Sequence, residues 1–365
     1  MVINSLTFRA AVVLIVALSF AVLASRSRPL PGFGGVEPLL FSSGLHQPRG
    51  LAFEAEGSLL VAEAGAVGPS AAASPVAGRI VRLDERGTAL TLVDGLEAAT
   101  SSKPLFAQRG PAAIVRAGAA AAATYVFSGP TSEGGLGGLS RLVEAGGEWR
   151  LEPVLAFGDA LEGLGPGPAA PWGAAAGRGG ALYAALPMAN QLVRVEAAGL
   201  AASQLPAPAT AVTGFIGAGQ RNPFPTGVAV ARDGGVYVAL FGTEPFRQGT
   251  GRVVRVRDDG RWQPYYDGLS FPVALGFAPD GQLYVLEFAS GYDERAAQFR
   301  PHSGRLLTVG PGPARRRTIV SQIHYPTALT FSAAGDVYLT EAGALSPAGQ
   351  GTVLRVPEQT LRSFR

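Results

Sequence analysis

A hairpin pattern that recurs along the whole chain constrains the fold more than any other feature. Each copy begins at a proline, continues with small apolar residues, crosses a tight polar turn and ends in a strand rich in β-branched and aromatic residues. The clearest copy is "PTGVAVARDGGVYVALF", which begins at Pro225. Successive copies start 47–63 residues apart, close to the length of one propeller blade. The six anchor prolines are Pro48, Pro111, Pro171, Pro225, Pro272 and Pro326.

Most copies are followed by two further strand-like segments, such as "GRVVRVRDDG" and "WQPYYDGL". Radial stacking of four-stranded units buries the sheet faces between neighbours. The last copy supplies only three strands, and a strand-like segment at residues 36–41 precedes the first copy. We therefore predict an all-β, six-bladed β-propeller over residues 31–365 that is closed by this N-terminal strand. The six-fold regularity favours a propeller over a β-sandwich built from the same hairpins.

The composition fits many short strands joined by turns. Apolar residues make up 47% of the 365 residues, together with 50 Gly and 28 Pro, which favours a folded β protein over disorder. The absence of Cys excludes disulfides and thiolate metal sites. An Ala-rich stretch at residues 117–123 contains Gly118 and keeps the repeat register, so we expect a degenerate hairpin there rather than a helix.

The first 30 residues differ from the rest of the chain. They contain an uncharged apolar run at residues 10–24, which is flanked by Arg9 and by Arg26 and Arg28. Such a segment is typical of a signal peptide cleaved after Ala24 and equally of an uncleaved membrane anchor. Residues 1–30 are therefore predicted to export the propeller to the periplasm or the cell exterior. If they are not cleaved, they anchor it to the cytoplasmic membrane.

The charge distribution argues against a nucleic-acid partner. Three arginines in the first 30 residues account for the whole formal net charge of +3, so the remainder is electrically balanced. Nucleic-acid binding needs a basic face that releases counterions from phosphates. We therefore expect no nucleic-acid partner.

One face of the predicted ring carries the longer loops, and we call it the long-loop face. The loops that lead into each first strand and the loops between second and third strands open on this face. Four of the latter are long: residues 64–78, 128–138, 242–251 and 289–304. Irregular loops on a rigid frame usually carry binding groups. We therefore predict that a protein partner or a small-molecule ligand binds here.

Titratable residues occupy repeated positions on this face in blades 1, 5 and 6. Glu63, Glu287 and Glu341 stand fifteen residues after their anchor prolines, and His46 and His324 stand two residues before theirs. Three carboxylates and two imidazoles could hold a divalent metal such as calcium, or supply acid and base groups. The favoured alternative is structural, with each glutamate accepting backbone N–H groups from the loop into the adjacent blade.

Four further residues complete the candidate face. Arg49 and Arg221 could bind an anion or pair with a neighbouring glutamate. Asn222 is expected to form a turn before Pro223, and Tyr292 lies in the polar loop "ASGYDERAAQF". Three aromatic residues could stack on a ligand or plug the mouth of the channel: Trp172, Phe224 and Phe246.

Four segments resemble the ScyD/ScyE family of exported propeller proteins. They are "LHQPRGLAFEAEGSLLVAEAG", "NPFPTGVAVARDGGVYVALFGTEPF", "LGFAPDGQLYVLEFASG" and "YPTALTFSAAGDVYLTEAG". The resemblance runs from about residue 40 to 356 and implies an extracytoplasmic six-bladed propeller without an assigned catalytic residue. Leu240 stands where copies in that family often carry Glu.

The chain lacks the motifs of common hydrolases, metalloproteases and nucleotide-binding enzymes: G-x-S-x-G, H-E-x-x-H, the P-loop and the dinucleotide fingerprint. We therefore predict a binding or scaffolding propeller, an accessory subunit of a membrane-associated complex, with no cofactor expected. The alternative is a propeller enzyme of the quinone-dependent sugar dehydrogenase type or the metal-dependent lactonase type.

Overall fold

The computed structural model describes residues 35–66, 76–98, 105–106, 109–118, 123–130, 137–157, 170–196, 209–215, 222–311 and 316–363. They form 26 strands, one short helix α1 (Glu358–Arg362) and a 3₁₀ turn at Arg178–Gly180. Within these ranges, no helix has the length and apolar character needed to cross a membrane. The predicted signal peptide or anchor lies outside the described residues.

The strands build six four-stranded antiparallel sheets, which confirms the six predicted blades. Blade 1 contains β2 (Pro48–Phe53), β3 (Leu59–Glu63), β4 (Gly78–Leu83) and β5 (Ala89–Leu96). Blade 2 contains β6 (Pro111–Ala117), β7 (Ala123–Ser128), β8 (Gly138–Ala145) and β9 (Glu148–Ala156). Blade 3 contains β10 (Ala174–Ala176), β11 (Leu182–Leu186), β12 (Gln191–Val195) and β13 (Ala209–Gly214). The hairpin β6–β7 confirms the expectation for the Ala-rich stretch.

The second half of the chain repeats this order, with one addition and one substitution. Blade 4 contains β14 (Pro225–Val230), β15 (Val236–Leu240), β16 (Gly251–Val256) and β17 (Trp262–Leu269). Blade 5 contains β18 (Pro272–Phe277), β19 (Leu283–Glu287), β22 (Gly304–Val309) and β23 (Arg317–Ile323). Between β19 and β22, it adds a small hairpin of β20 (Tyr292–Asp293) and β21 (Gln298–Phe299). Blade 6 contains β24 (Leu329–Phe331), β25 (Val337–Glu341), β26 (Gly351–Val356) and β1 (Leu39–Leu45).

Strand β1 closes the ring as the outer strand of blade 6, as predicted, but at shifted bounds. It pairs antiparallel with β26 from Leu39 opposite Arg355 to Leu45 opposite Gly351. Pairing begins at residue 39 rather than 36, because β26 ends at Val356 and leaves the earlier residues without a ladder partner. The backbone N–H of Val36 instead donates to the carbonyl oxygen of Ile319 in blade 5 at 2.8 Å.

The apolar core lies in layers between neighbouring blades. Along β3, Leu59 and Val61 pack toward blade 6, while Leu60 and Ala62 pack toward blade 2. This alternation follows from the two-residue period of a strand. Each middle strand is therefore buried on both faces, and a blade cannot bury its own surface without its neighbours.

Glycines at the start of third strands set the spacing between blades. A Cβ on Gly251 would lie 2.4 Å from Cδ of Pro272, the anchor proline of the next blade. A Cβ on Gly351 would lie equally close to Cδ of Pro48, across the closure. Such distances are shorter than real Cβ contacts, so the anchor proline packs directly onto a bare backbone.

Candidate functional site

A repeated backbone conformation precedes the anchor prolines on the long-loop face. The residue before the proline has positive φ in five blades, at Gln47, Gly110, Phe224, Phe271 and Tyr325. Positive φ is uncommon for residues other than glycine. The three aromatic side chains at these positions are buried and meet rings from other blades, so the conformation directs them toward a common centre.

These rings belong to a continuous cluster, the aromatic cap, on the long-loop face. Neighbouring ring centroids lie 4.8–6.3 Å apart, mostly in edge-to-face or tilted arrangements. Such geometry is favourable for aromatic pairs. The cap consists of Phe106, Trp172, Phe224, Phe241, Phe246, Phe271, Phe288, Tyr292, Phe299 and Tyr325. The structure thus places the three aromatic residues nominated from the sequence inside one plug.

An open pocket of about 680 Å³ lies beside the cap on the same face. Its walls are formed by Asn222, Phe224, Glu244, Pro245, Phe246 and Tyr292. The ring centroids of Phe246 and Tyr292 are 5.4 Å apart, and both rings are only half-buried. Two residues predicted from the sequence, Asn222 and Tyr292, therefore line one pocket. Arg221 lies outside the described residues.

Asn222 forms the turn expected of it. Its Oδ1 accepts the backbone N–H of Phe224 at 2.7 Å, and its Nδ2 donates to the carbonyl oxygen of Pro187 at 3.1 Å. The side chain thereby ties the loop into blade 4 to blade 3 and fixes the wall of the pocket.

Glu63 and Glu287 are fully buried and bound to arginine in their own blades. The Arg79 guanidinium donates to Glu63 at 2.5 Å, and Nδ1 of His46 lies 3.9 Å from the same carboxylate. Arg305 donates to Glu287 at 2.7 Å, and the backbone N–H of Ser270 donates to its other oxygen at 2.7 Å. Burial raises the pKa of Glu287, while the charge of Arg305 opposes this shift.

Glu341 also forms structural hydrogen bonds. It accepts the backbone N–H of His324 at 3.0 Å and the Thr352 hydroxyl at 3.3 Å. The favoured structural role is therefore observed for Glu287 and Glu341, with one correction: each N–H belongs to the loop that leads into the same blade.

The predicted metal cluster is not formed. In the described part of the chain, no group of three His, Cys, Asp or Glu residues could hold a metal ion. The proposed ligands Glu63, Glu287 and Glu341 instead bind arginine, backbone or hydroxyl groups within three separate blades.

The two predicted histidines occupy equivalent positions in neighbouring blades, each beside the glutamate of its own blade. His324 is half-buried and stacks on the exposed His302, with ring centroids 4.2 Å apart. Burial lowers the pKa of His324 to about 4, and the charge that His302 can carry adds to this effect. Burial and Arg79 also lower the pKa of His46. Both imidazoles are therefore neutral at pH 7.

Acidification is expected to destabilise the propeller through His324. Its pKa is about 4 when folded and about 6.5 when unfolded, so the unfolded chain binds more protons between these values. Stability from this group is complete above pH 6.5 and falls as the pH is lowered toward 4. Melting temperatures at pH 7, 6 and 5 should therefore fall less steeply for His324→Gln than for the wild type. Parallel curves would contradict this assignment.

Arg49 lies beneath the cap, on the first strand of blade 1. Its side chain is buried, with Nε 3.4 Å from the carbonyl oxygen of Gly343 and Nη2 3.3 Å from Oε1 of Gln47. Its guanidinium carbon lies 5.4 Å from the centroid of Trp172. No carboxylate within the described ranges forms an ion pair with it, so the glutamate partner weighed from the sequence is not found. Burial lowers the pKa of Arg49 to about 9, which leaves it cationic at pH 7.

A larger groove of about 900 Å³ lies near the hairpin turns of blades 3 and 4, and sequence reasoning did not anticipate it. Its lining includes Arg178, Arg194, Asp233 and Arg255. Arg255 pairs with Asp233 at 3.1 Å, and Arg178 donates to a backbone carbonyl at 2.8 Å. These charged groups already have partners within the protein, so the aromatic pocket is the better candidate.

Comparison with known proteins supports the fold assignment but does not establish a function. No protein-family model and no curated protein matches the chain. A putative glucose dehydrogenase from Thermus thermophilus has a TM-score of 0.56 at 19% identity, covering 89% of this chain and 99% of that one. The PQQ-bound aldose sugar dehydrogenase from Streptomyces coelicolor has a TM-score of 0.57 at 14% identity, covering 89% and 97%. A putative gluconolactonase reaches 0.49 at 12% identity, covering 88% and 92%. At these identities the likeness concerns the fold, and the chain is an all-β protein with the six-bladed propeller architecture.

Proposed function

We propose that this protein is an exported binding and scaffolding propeller that holds an apolar or aromatic group of a partner protein in the pocket beside the cap. The observation that carries the proposal is the half-buried pair Phe246 and Tyr292, exposed on one side and supported by packed rings on the other. Rigid aromatic anchors in a concave site typically dominate protein interfaces. The resemblance to the ScyD/ScyE family agrees with this role.

The engagement of the acid and base candidates also favours binding over catalysis. Glu63, Glu287 and Glu341 each form hydrogen bonds within their own blade, which is the arrangement of structural ties. A general base must instead reach a substrate proton. The partner is best sought in a membrane-associated complex, because the predicted N-terminal segment directs the chain to or across the membrane.

The sugar dehydrogenase alternative draws on the neighbours that carry that name. The Streptomyces coelicolor neighbour is PQQ-bound, and this quinone is a planar tricarboxylate that requires cationic partners and an open slot. The described residues at the capped end of the channel do not fit it, because rings in mutual contact fill this end. Among the described residues, Arg49 is the one cation stacked on a ring of the cap.

Removing the two half-buried aromatic rings of the pocket is expected to reduce strongly the amount of partner protein recovered. The double variant Phe246→Ser, Tyr292→Ser should recover at least about tenfold less partner from gently solubilised membranes than the wild type, since a central aromatic anchor contributes about 2 kcal/mol or more. The matched control is Leu90→Ser, which changes a side chain that is 59% exposed on an outer strand. Equal recovery by the double variant would reject the pocket. Sugar oxidation or lactone hydrolysis by the protein supplied with PQQ and calcium would replace the proposal with the enzyme alternative.

A further inference from the structure

A second feature is independent of the aromatic pocket: a small, partly open cavity of about 60 Å³ between the first strands of several blades, which we call the axial cavity and which Arg49 helps to line. The first strands of several blades contribute small or apolar residues to its wall, and Trp172 and Thr327 lie near Arg49. The small and apolar lining residues include Ala174, Gly227, Ala274 and Leu329. Among the described residues of this lining, Arg49 is the one that carries a charge.

Within the described ranges, the hydrogen-bond partners of Arg49 are neutral and do not compensate its charge. A guanidinium offers five N–H groups, and two long bonds to Gly343 and Gln47 engage only Nε and Nη2. The residue is only 5% exposed, so bulk water solvates its guanidinium weakly. A buried cation without an opposite charge is strongly disfavoured. The face of Trp172 offsets this cost only in part.

The size and lining of the cavity indicate which kind of counter-ion it can hold. A volume of about 60 Å³ is large enough for a few water molecules or for one small monovalent anion. Water would satisfy N–H groups but leave the charge in place, whereas an anion satisfies both. The lining contains no carboxylate that would repel it.

We propose that the axial cavity binds a small monovalent anion of halide size on the Arg49 guanidinium, beneath the aromatic cap. Arg49 belongs to blade 1, bonds Gly343 of blade 6 and stacks on Trp172, which leads into blade 3. The bound anion fixes this side chain at the point where the three blades meet and stabilises the closed ring.

Halide dependence of thermal stability tests the site. In gluconate buffer of constant ionic strength, added chloride or bromide should raise the melting temperature saturably. The rise should reach about 3–5 °C at a hundredfold excess over Kd. Arg49→Gln should remove the saturable rise, and Arg49→Lys should retain it with a weaker Kd. The matched control Arg82→Gln should respond like the wild type, because Arg82 is paired with Glu54 away from the cavity.

Anomalous diffraction from bromide-soaked crystals of the wild type provides a second readout that does not depend on variant folding. A bromide peak within hydrogen-bond distance of Arg49 is expected. No peak there, or a halide effect that rises linearly without saturation, means that ordered water alone fills the cavity and overturns the proposal. The same rejection follows if Arg49→Gln keeps the wild-type halide response.

Discussion

Gly351→Val is expected to destabilise the folded propeller by about 3 kcal/mol or more, as overpacking without room to relax does. A Cβ at this position would lie 2.4 Å from Cδ of Pro48 and 2.8 Å from the carbonyl oxygen of Leu45. The proline ring and the backbone cannot rotate aside. Both lie where blade 6, which β1 completes, packs against blade 1. The free energy of unfolding, measured in urea, should fall accordingly.

Gly214→Val is the matched control. Gly214 also lies in a strand, and no heavy atom comes within 4 Å of the position its Cβ would take. Neither glycine has positive φ, so the two substitutions differ in available space and not in backbone strain. The control should unfold close to the wild type. Equal losses at both positions would show that close packing at the closure is not the cause.

Glu287→Ala is expected to lower the free energy of unfolding by about 3 kcal/mol, because removing one partner of a buried ion pair leaves the other charge without compensation. Arg305 would lose its carboxylate, and the backbone N–H of Ser270 would lose its acceptor. Glu287→Gln should be less harmful, since an amide oxygen can still accept the N–H of Ser270. Chemical denaturation would rank the three proteins.

The control for this series is Glu152→Ala, which breaks a similar pair on the surface. Glu152 contacts Arg141 and Arg150, and all three side chains are well exposed. Exposed pairs contribute little, so this variant should unfold near the wild type. If Glu287→Ala behaved like Glu152→Ala, the buried carboxylate would not be a structural tie between the loop and its blade.

The blade count and the ring closure could be predicted from the sequence because the hairpin pattern is local and repeated. Each proline-led copy specifies its own two strands, and six copies at blade-like spacing leave little choice of architecture. The outer strand β1 was recognisable because the last copy lacked a fourth strand. Its bounds were not, since they depend on where β26 ends.

The predicted cluster of three glutamates shows that a shared repeat register does not predict contact between residues of different blades. Glu63 lies opposite Pro48, and Glu287 lies opposite Pro272, in the same hairpins. A constant interval of fifteen residues therefore reports the cross-strand neighbour of the anchor proline, and not convergence between blades. The arginine partners Arg79 and Arg305 come from the third strand of their blades, whose distance along the chain varies with loop length.

The sequence analysis named three members of the aromatic cap, Trp172, Phe224 and Phe246, but it did not predict the extent of the cluster. Phe224, Phe271 and Tyr325 all directly precede an anchor proline, whereas Phe106 and Phe299 come from loops without a common register. The sequence also did not predict that Arg49 has no carboxylate partner among the described residues. A glutamate that is near in sequence need not contact it across blades.

The left-handed residue that precedes the anchor proline in five blades separates the side chains at the mouth of the channel from the packing that stabilises the ring. Its side chain projects from a backbone that the proline and the strand already fix. Substitutions at Phe224, Phe271 or Tyr325 would therefore change the side chains at the mouth of the channel while the apolar layers between blades stay intact. A scaffold of this kind can acquire a deeper or more polar well by a few substitutions at one repeated position. Variation among related propellers should therefore concentrate there.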